Sequence, residues 1–254
     1  MMGNKFILGD CMDKKNGLPS YPDNYFGLAI IDPPYGIQDD GRKHQGRVFR
    51  KDGTAIKKRD KRNGAVVKVK PQKYKLTSRY DNEQPNQEYF DELFRVSKYQ
   101  IIWGCNYLQF DQKAQSSGRI FWDKVNGDCD QSDFEVAWTN LFSSVRRVRY
   151  MWNGLLQGRS LREGHISQGN RALCEKRVHP NHKPTKLYSW VLKLEGIQKD
   201  WILLDTHVGG ASSLLTFERF DMNYVGYEID PDYYAAAKRR MSAGIQKDLF
   251  SKIK

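Results

Sequence analysis

Three short apolar runs constrain this chain more than anything else in it: GLAII over 27–31, QIIW over 100–103 and WILL over 201–204. Each has the length of a strand and no polar alternation. That is the pattern of strands buried on both faces of a parallel sheet. Shorter strands are predicted at 5–8, 119–122, 134–138 and 223–227. Segments of helical spacing lie between them. Tyr89, Phe90, Leu93 and Phe94 share one face of a helix over 86–96. Leu187, Trp190, Val191 and Leu194 repeat after Pro184, which suits a first helical position, and Gly196 can end that helix. A helix is predicted from about Ser212 to Arg219, and another from Pro231 to about Met241 with Asp230 as its cap. Strands alternating with helices predict an α/β fold with a doubly wound, mainly parallel sheet. With 39% hydrophobic residues the chain can fill such a core. The stretch 143–178 shows no regular period.

Two strand ends carry chemistry. GLAII runs into Asp32-Pro33-Pro34-Tyr35, which cannot continue a central strand. An aromatic amine is a poor nucleophile because its lone pair is delocalised into the ring. Two acceptors bound to its two hydrogens draw the nitrogen toward a tetrahedral, more nucleophilic state. The Asp32 carboxylate can be one acceptor. The Pro33 carbonyl, held by the fixed proline φ angles, can be the other. Tyr35 can stack on a base, which is typically about 1–3 kcal/mol per base. WILL runs into Asp205 and a Gly209-Gly210 turn before a helix, and Glu228 ends the next strand. Glycines let the backbone approach a ligand, and an acid at the next strand end can hold ribose hydroxyls. The G-x-G-x-x-G of dinucleotide sites is absent.

Charge is concentrated. Residues 41–79 hold fifteen Lys or Arg against Asp52 and Asp60, a net +13 in a chain whose total is +12. Such density points to a polyanionic partner. No run approaches the roughly 18 apolar residues of a membrane span, so no membrane partner is expected. The N-terminus has no basic region followed by a long apolar one, which makes the cytoplasm the expected location. Cys11, Cys105, Cys129 and Cys174 show no Cys-x-x-Cys pair and read as reduced structural thiols. Cys174, His179 and His182 lack a fourth ligand, and no metal is expected.

Together these segments resemble the amino-methyltransferases of DNA in their permuted, beta-class arrangement. Asp32-Pro33-Pro34-Tyr35 resembles the catalytic motif. His179-Pro-Asn-His-Lys183-Pro184 resembles a His-Pro-x-x-Lys-Pro motif beside the methionine end of the cofactor. Asp205-Thr-His-Val-Gly209-Gly210-Ala211 resembles the cofactor loop, Val225-Gly226-Tyr227-Glu228 the ribose-binding strand, and Gly9-Asp10 the acid near the cofactor's adenine. His207 stands where the family usually has Phe, and Ala211 where it usually has Gly. The resemblance implies a circularly permuted, Rossmann-like S-adenosyl-L-methionine-dependent methyltransferase fold, a single domain spanning 1–254. The catalytic residues are then Asp32, Pro33, Pro34 and Tyr35. The cofactor residues are Asp10, His179, Lys183, Pro184, Asp205, His207, Gly209, Gly210 and Glu228. The partner is double-stranded DNA with the target base flipped out, and a homodimer is also implied.

The resemblance implies N6 of adenine as the target, because in that family Asp before Pro-Pro-Tyr usually accompanies adenine. The alternatives are N4 of cytosine, an RNA or protein amide, or a DNA-binding module with a decayed cofactor site. A basic, mobile insert at about 38–80 (Lys57, Lys58, Arg59, Lys61, Arg62) and a target-recognition region at about 140–178 (Arg146, Arg147, Arg149, Arg159) are the expected DNA contacts.

Overall fold

The computed structural model describes residues 3–37, 58–59, 66–67, 83–110, 116–125, 132–153, 156–158, 174–178 and 181–243. Its strands are β1 (Lys5–Leu8), β2 (Phe26–Ile31), β3 (Ser97–Trp103), β4 (Arg119–Asp123), β5 (Phe134–Thr139), β6 (Val145–Arg149), β7 (Ile202–Asp205) and β8 (Asn223–Glu228). Its helices are α1 (Gln87–Val96), α2 (Thr185–Val191), α3 (Ser212–Arg219) and α4 (Pro231–Ser242). The eight strands form one sheet in the order β1-β8-β7-β2-β3-β5-β4-β6. The pairs from β1 to β3 are all parallel. β5 runs against both of its neighbours, while β6 pairs parallel with β4.

The two-residue period of β2 explains the two-sided cover. Leu28 and Ile30 point into a cluster with Leu187 and Val191 of α2, Leu214 and Phe217 of α3, and Ala237 of α4. Ala29 and Ile31 point the other way, into a cluster with Tyr89, Phe90, Leu93 and Val96 of α1. Every one of these side chains is fully buried or nearly so, which is why the strand reads as an unbroken apolar run. The sheet is doubly wound, as expected.

The strand order reverses between β7 and β2. The chain leaves β7 for β8 on one side and β2 for β3 on the other. The diverging crossovers open a crevice beyond the carboxyl ends of this pair, the usual ligand position in such sheets.

Some elements differ from the expectations drawn from sequence. β3 begins directly after α1, so it is three residues longer than predicted. Pro184 is the N-cap of α2, with extended φ/ψ of −72° and 146°, and not its first helical residue. α2 stops at Val191, before Gly196. The stretch 143–178 contains the strand β6 and an antiparallel ribbon of Met151–Asn153 with Leu156–Gly158. β6 is an edge strand that buries only Val148, so its sequence VRRVR carries no core signal. Of the basic insert, only Lys58–Arg59 paired with Val66–Val67 is among the described residues.

Gly27 shows how close the packing is. A Cβ there would overlap the buried side chain of Trp201 at its Cγ. Gly27→Ala is expected to cost about 1–3 kcal/mol through overpacking. A lowered urea midpoint at unchanged slope would show it.

Candidate active site

One cleft of about 690 Å³ opens at the reversal point, a size typical of small-molecule sites. The 32–35 turn after β2 and the 206–210 loop after β7 both line it, together with Asp10, Lys183 and Glu228. Residues far apart in the chain are joined there because parallel strands bring their carboxyl ends to one edge of the sheet.

At one end sits a buried ammonium. Lys183, its side chain 4% exposed, ion-pairs with Asp32 Oδ1 and lies 3.1 Å from Glu135 Oε2. It also donates to the Tyr35 hydroxyl at 3.1 Å. Tyr35 in turn donates to Asp32 Oδ1 at 2.5 Å. Glu135 takes a second cation, Lys124, at 2.5 Å. Burial pushes the Asp32 carboxyl up, Lys183 pulls it down and Glu135 pushes it up again, with a net rise. For Glu135, burial is outweighed by the two lysines, and its carboxyl is lowered to about 2. For Lys183, burial opposes the charge, but attraction to Asp32 and Glu135 leaves the ammonium stabilised.

Tyr35 also depends on Gly104. That residue has φ of +70°, and a Cβ there would overlap the Tyr35 ring. Tyr107 stacks on Tyr35 with centroids 5.3 Å apart.

At the other end the loops are tied by backbone donors. Glu228 accepts the N–H of Gly209 at 2.7 Å and of Asp230 at 2.9 Å. Asp205 accepts the N–H of His207 at 2.9 Å and the hydroxyl of Ser213. Burial nevertheless raises the Asp205 carboxyl to about 7. His207 is held neutral, its ring lowered to about 4 by burial, and packs edge-on against Tyr89. Gly209 has φ of +53° and Ala211 φ of +59°. Ala211 therefore adopts a left-handed conformation that glycine reaches more easily. Gly210 is needed for a close approach, since a Cβ there would collide with His182 Nδ1.

Sequence reasoning missed the cluster that locks the 182–185 turn to α3 and α4. Glu175 accepts from Thr185 N–H at 3.1 Å and Thr185 Oγ1 at 2.9 Å, and ion-pairs with Arg240. His182 Nε2 lies 2.8 Å from Ser212 Oγ. His182 lies inside the His-Pro-x-x-Lys-Pro segment and could have been found there. Glu175 and Arg240 have no local signal, and neither does Glu135, which sits inside a strand.

Asp10 is exposed in the cleft, its carboxylate accepting the Met12 N–H. Pro184 lies buried ahead of α2. Arg146, Arg147 and Arg149 are exposed on the edge strand β6, with Arg149 3.2 Å from Asp123 and Arg146 over the Phe142 ring. Lys58 and Arg59 fall in the two-residue pairing; Lys57, Lys61, Arg62, Arg159 and His179 lie outside the described residues. Among the described residues no group of His, Cys, Asp or Glu could hold a metal ion, three cysteines are free, and no helix is long and apolar enough to cross a membrane.

No protein-family model and no curated protein matches the chain. Solved structures similar in chain course include the M1.HpyAVI–SAM complex, with TM-score 0.48, 15% identity, and 93% of this chain and 98% of that one covered. A second is TTHA0409 from Thermus thermophilus complexed with S-adenosyl-L-methionine, with TM-score 0.47, 14% identity and 96% of each chain covered. A third is the cytosine-N4-specific PvuII DNA methyltransferase, with TM-score 0.48, 12% identity, and 94% of this chain and 86% of that one covered. Function therefore rests on the chemistry of the site itself.

His182 offers a test of the locking cluster. Burial is the largest influence, and the ring is lowered from 6.5 to about 4 although Glu175 pulls upward. The unfolded chain takes a proton on this ring below about pH 6.5, but the folded chain does so only near pH 4. Its contribution is therefore complete above pH 6.5 and is lost as the pH falls toward 4, at about 1.4 kcal/mol per pH unit. His182→Gln is expected to make unfolding free energy less steep between pH 6 and 4.5, measured by urea denaturation at each pH.

Proposed function

We propose that the chain is an S-adenosyl-L-methionine-dependent DNA methyltransferase acting on an exocyclic amino group, N6 of adenine. The observation that carries this reading is the shared cleft of the Asp32–Tyr35 turn and the 206–210 loop with Glu228. An amine-activating turn and a nucleoside-holding loop have to face one another for direct transfer.

The cleft fits the cofactor. Glu228 is aimed by two backbone donors, and its remaining lone pairs suit two ribose hydroxyls. Ile229, next to it and also lining the cleft, is 66% exposed and offers an apolar face to a flat ring. A Cβ at Gly9 would have nothing within 4 Å, so this wall is open. Asp10 would hold the adenine end, and the 206–210 loop with the 181–183 turn the methionine end. When bound, the cofactor supplies an electrophilic methyl group on sulfur.

The chain's own residues orient and activate the amine. Tyr35 and Lys183 both reach Asp32 at Oδ1. The other oxygen, Oδ2, can accept one amino hydrogen. The Pro33 carbonyl accepts the other. Transfer leaves a positive nitrogen, whose surplus proton passes to Asp32. Tyr35 supplies a ring against which the base can stack, and such stacking helps offset the few kcal/mol of flipping. Orientation is the main rate term. In the amino-methyltransferases that the chain resembles, Asp before Pro-Pro-Tyr usually accompanies adenine, which favours N6 over N4. The exposed arginines of β6 and the basic 41–79 stretch bind phosphates.

Asp32→Asn is expected to lower methyl transfer to duplex DNA at least 100-fold, with cofactor affinity within threefold by calorimetry. Full activity in this variant would refute its role. Glu228→Gln should instead weaken cofactor binding. Mass spectrometry of nucleosides from treated DNA decides between N6-methyladenine and N4-methylcytosine; methyl on RNA or protein alone would refute the DNA reading. Deleting 41–79 is expected to flatten the salt dependence of DNA binding, by about 0.9 in the log–log slope for each phosphate that the deletion leaves unneutralised.

A further inference from the structure

Two carboxylates share the Lys183 ammonium, and their surroundings differ. Asp32 faces Lys183, Tyr35 and the open cleft, with Tyr188 and Asp205 as its further titratable neighbours. Glu135 faces two cations, Lys183 and Lys124, and does not line the cleft. It reaches Lys183 because β5 is the reversed strand, so its amino end lies at the edge where its neighbours' carboxyl ends lie. Its Oε2 is buried, 3.1 Å from the ammonium, yet receives no aligned hydrogen bond from any described residue. This oxygen can take Lys183 in a full hydrogen bond when Asp32 lets go.

We propose that Glu135 is a positioning residue: it is the standing counter-ion of Lys183, and so leaves Asp32 free to take up and release a proton in each turnover. The proposal rests on the reading of Asp32 as the amine's acceptor. After transfer, an N–H bond of the methylated amine breaks and its electron pair stays on nitrogen. An O–H bond forms on Asp32, and the proton leaves to water with the product. Were Asp32 the sole partner of Lys183, this step would strand a buried ammonium, and a stranded buried charge is strongly unfavourable. With Glu135 in place the ammonium keeps a counter-charge throughout. The opposed shifts of the two acids agree with this division of roles: Asp32 is raised, and Glu135 is lowered to about 2.

The test uses the full chain with Glu135→Gln and Glu135→Asp. In Glu135→Gln, kcat is expected to fall tenfold or more with cofactor affinity within twofold. The acid limb of the kcat profile should move to lower pH, because a negative neighbour that raised Asp32 is gone. Glu135→Asp should move the limb back toward wild type. In a Lys183→Met background, Glu135→Gln should change kcat less than twofold, since the two act through one contact. Difference infrared titration of the Asp32 carboxyl in cofactor-free protein should show the same downward move, and it needs no substrate. An unmoved Asp32 titration, or losses that multiply across the two sites, would overturn the proposal. A moved titration in a protein that never methylates DNA would instead refute the functional reading and leave the Glu135 coupling standing.

Discussion

β7 and β2 lie side by side at the middle of the sheet, but the chain departs from them in opposite directions. A parallel strand pair aligns its carboxyl ends, and diverging crossovers leave the space beyond those ends uncovered. Asp205 and Asp32 stand at these two ends, so one topological fact brings the 206–210 loop and the 32–35 turn to the same cleft. The pairing of β1 with β8 adds Asp10 and Glu228 to the same rim. The site is thus a consequence of strand order, and its residues need no local proximity.

The second constraint is electrostatic. The cleft and its surroundings bury several acids, and those facing only dipoles behave differently from those facing cations. Asp205 and Glu228 rely on backbone N–H and hydroxyl donors, and burial wins, raising both. Glu135 faces two lysines, while Glu175 is held by the His182 ring and then by Arg240 and Thr185, and both are lowered. Asp32 lies between the two cases, with one cation and one competing carboxylate. Groups held firmly by cations suit scaffolding, as Glu175 does between Thr185 and Arg240.

Much of this was legible in the residues. Strands buried on both faces leave unbroken apolar runs, so β2, β3 and β7 were visible within a few residues. Turns that need special chemistry leave special residues, so Asp32-Pro33-Pro34-Tyr35 and Gly209-Gly210 were visible too. Asp230 caps α4 as its place before Pro231 predicts, accepting the N–H groups of Asp232 and Tyr233. β6 was not legible, because an edge strand with one buried residue has no periodic core signal. The end of α2 was misplaced because Gly196 was read as its stop, although that glycine serves a later turn.

The sequence by itself determined the fold class, the two chemically marked strand ends and the concentration of positive charge in 41–79. These follow from local rules: periodicity, fixed proline angles and side-chain type. Only the tertiary structure decided that Lys183 pairs with Asp32 at one end of the cleft, that Glu135 shares its charge, and that Glu175 and Arg240 clamp the 182–185 turn. Lys183 stands 48 positions from Glu135 and 151 from Asp32. A buried charge is stabilised by whichever opposite charge folding places beside it, and no spacing along the chain encodes that partner.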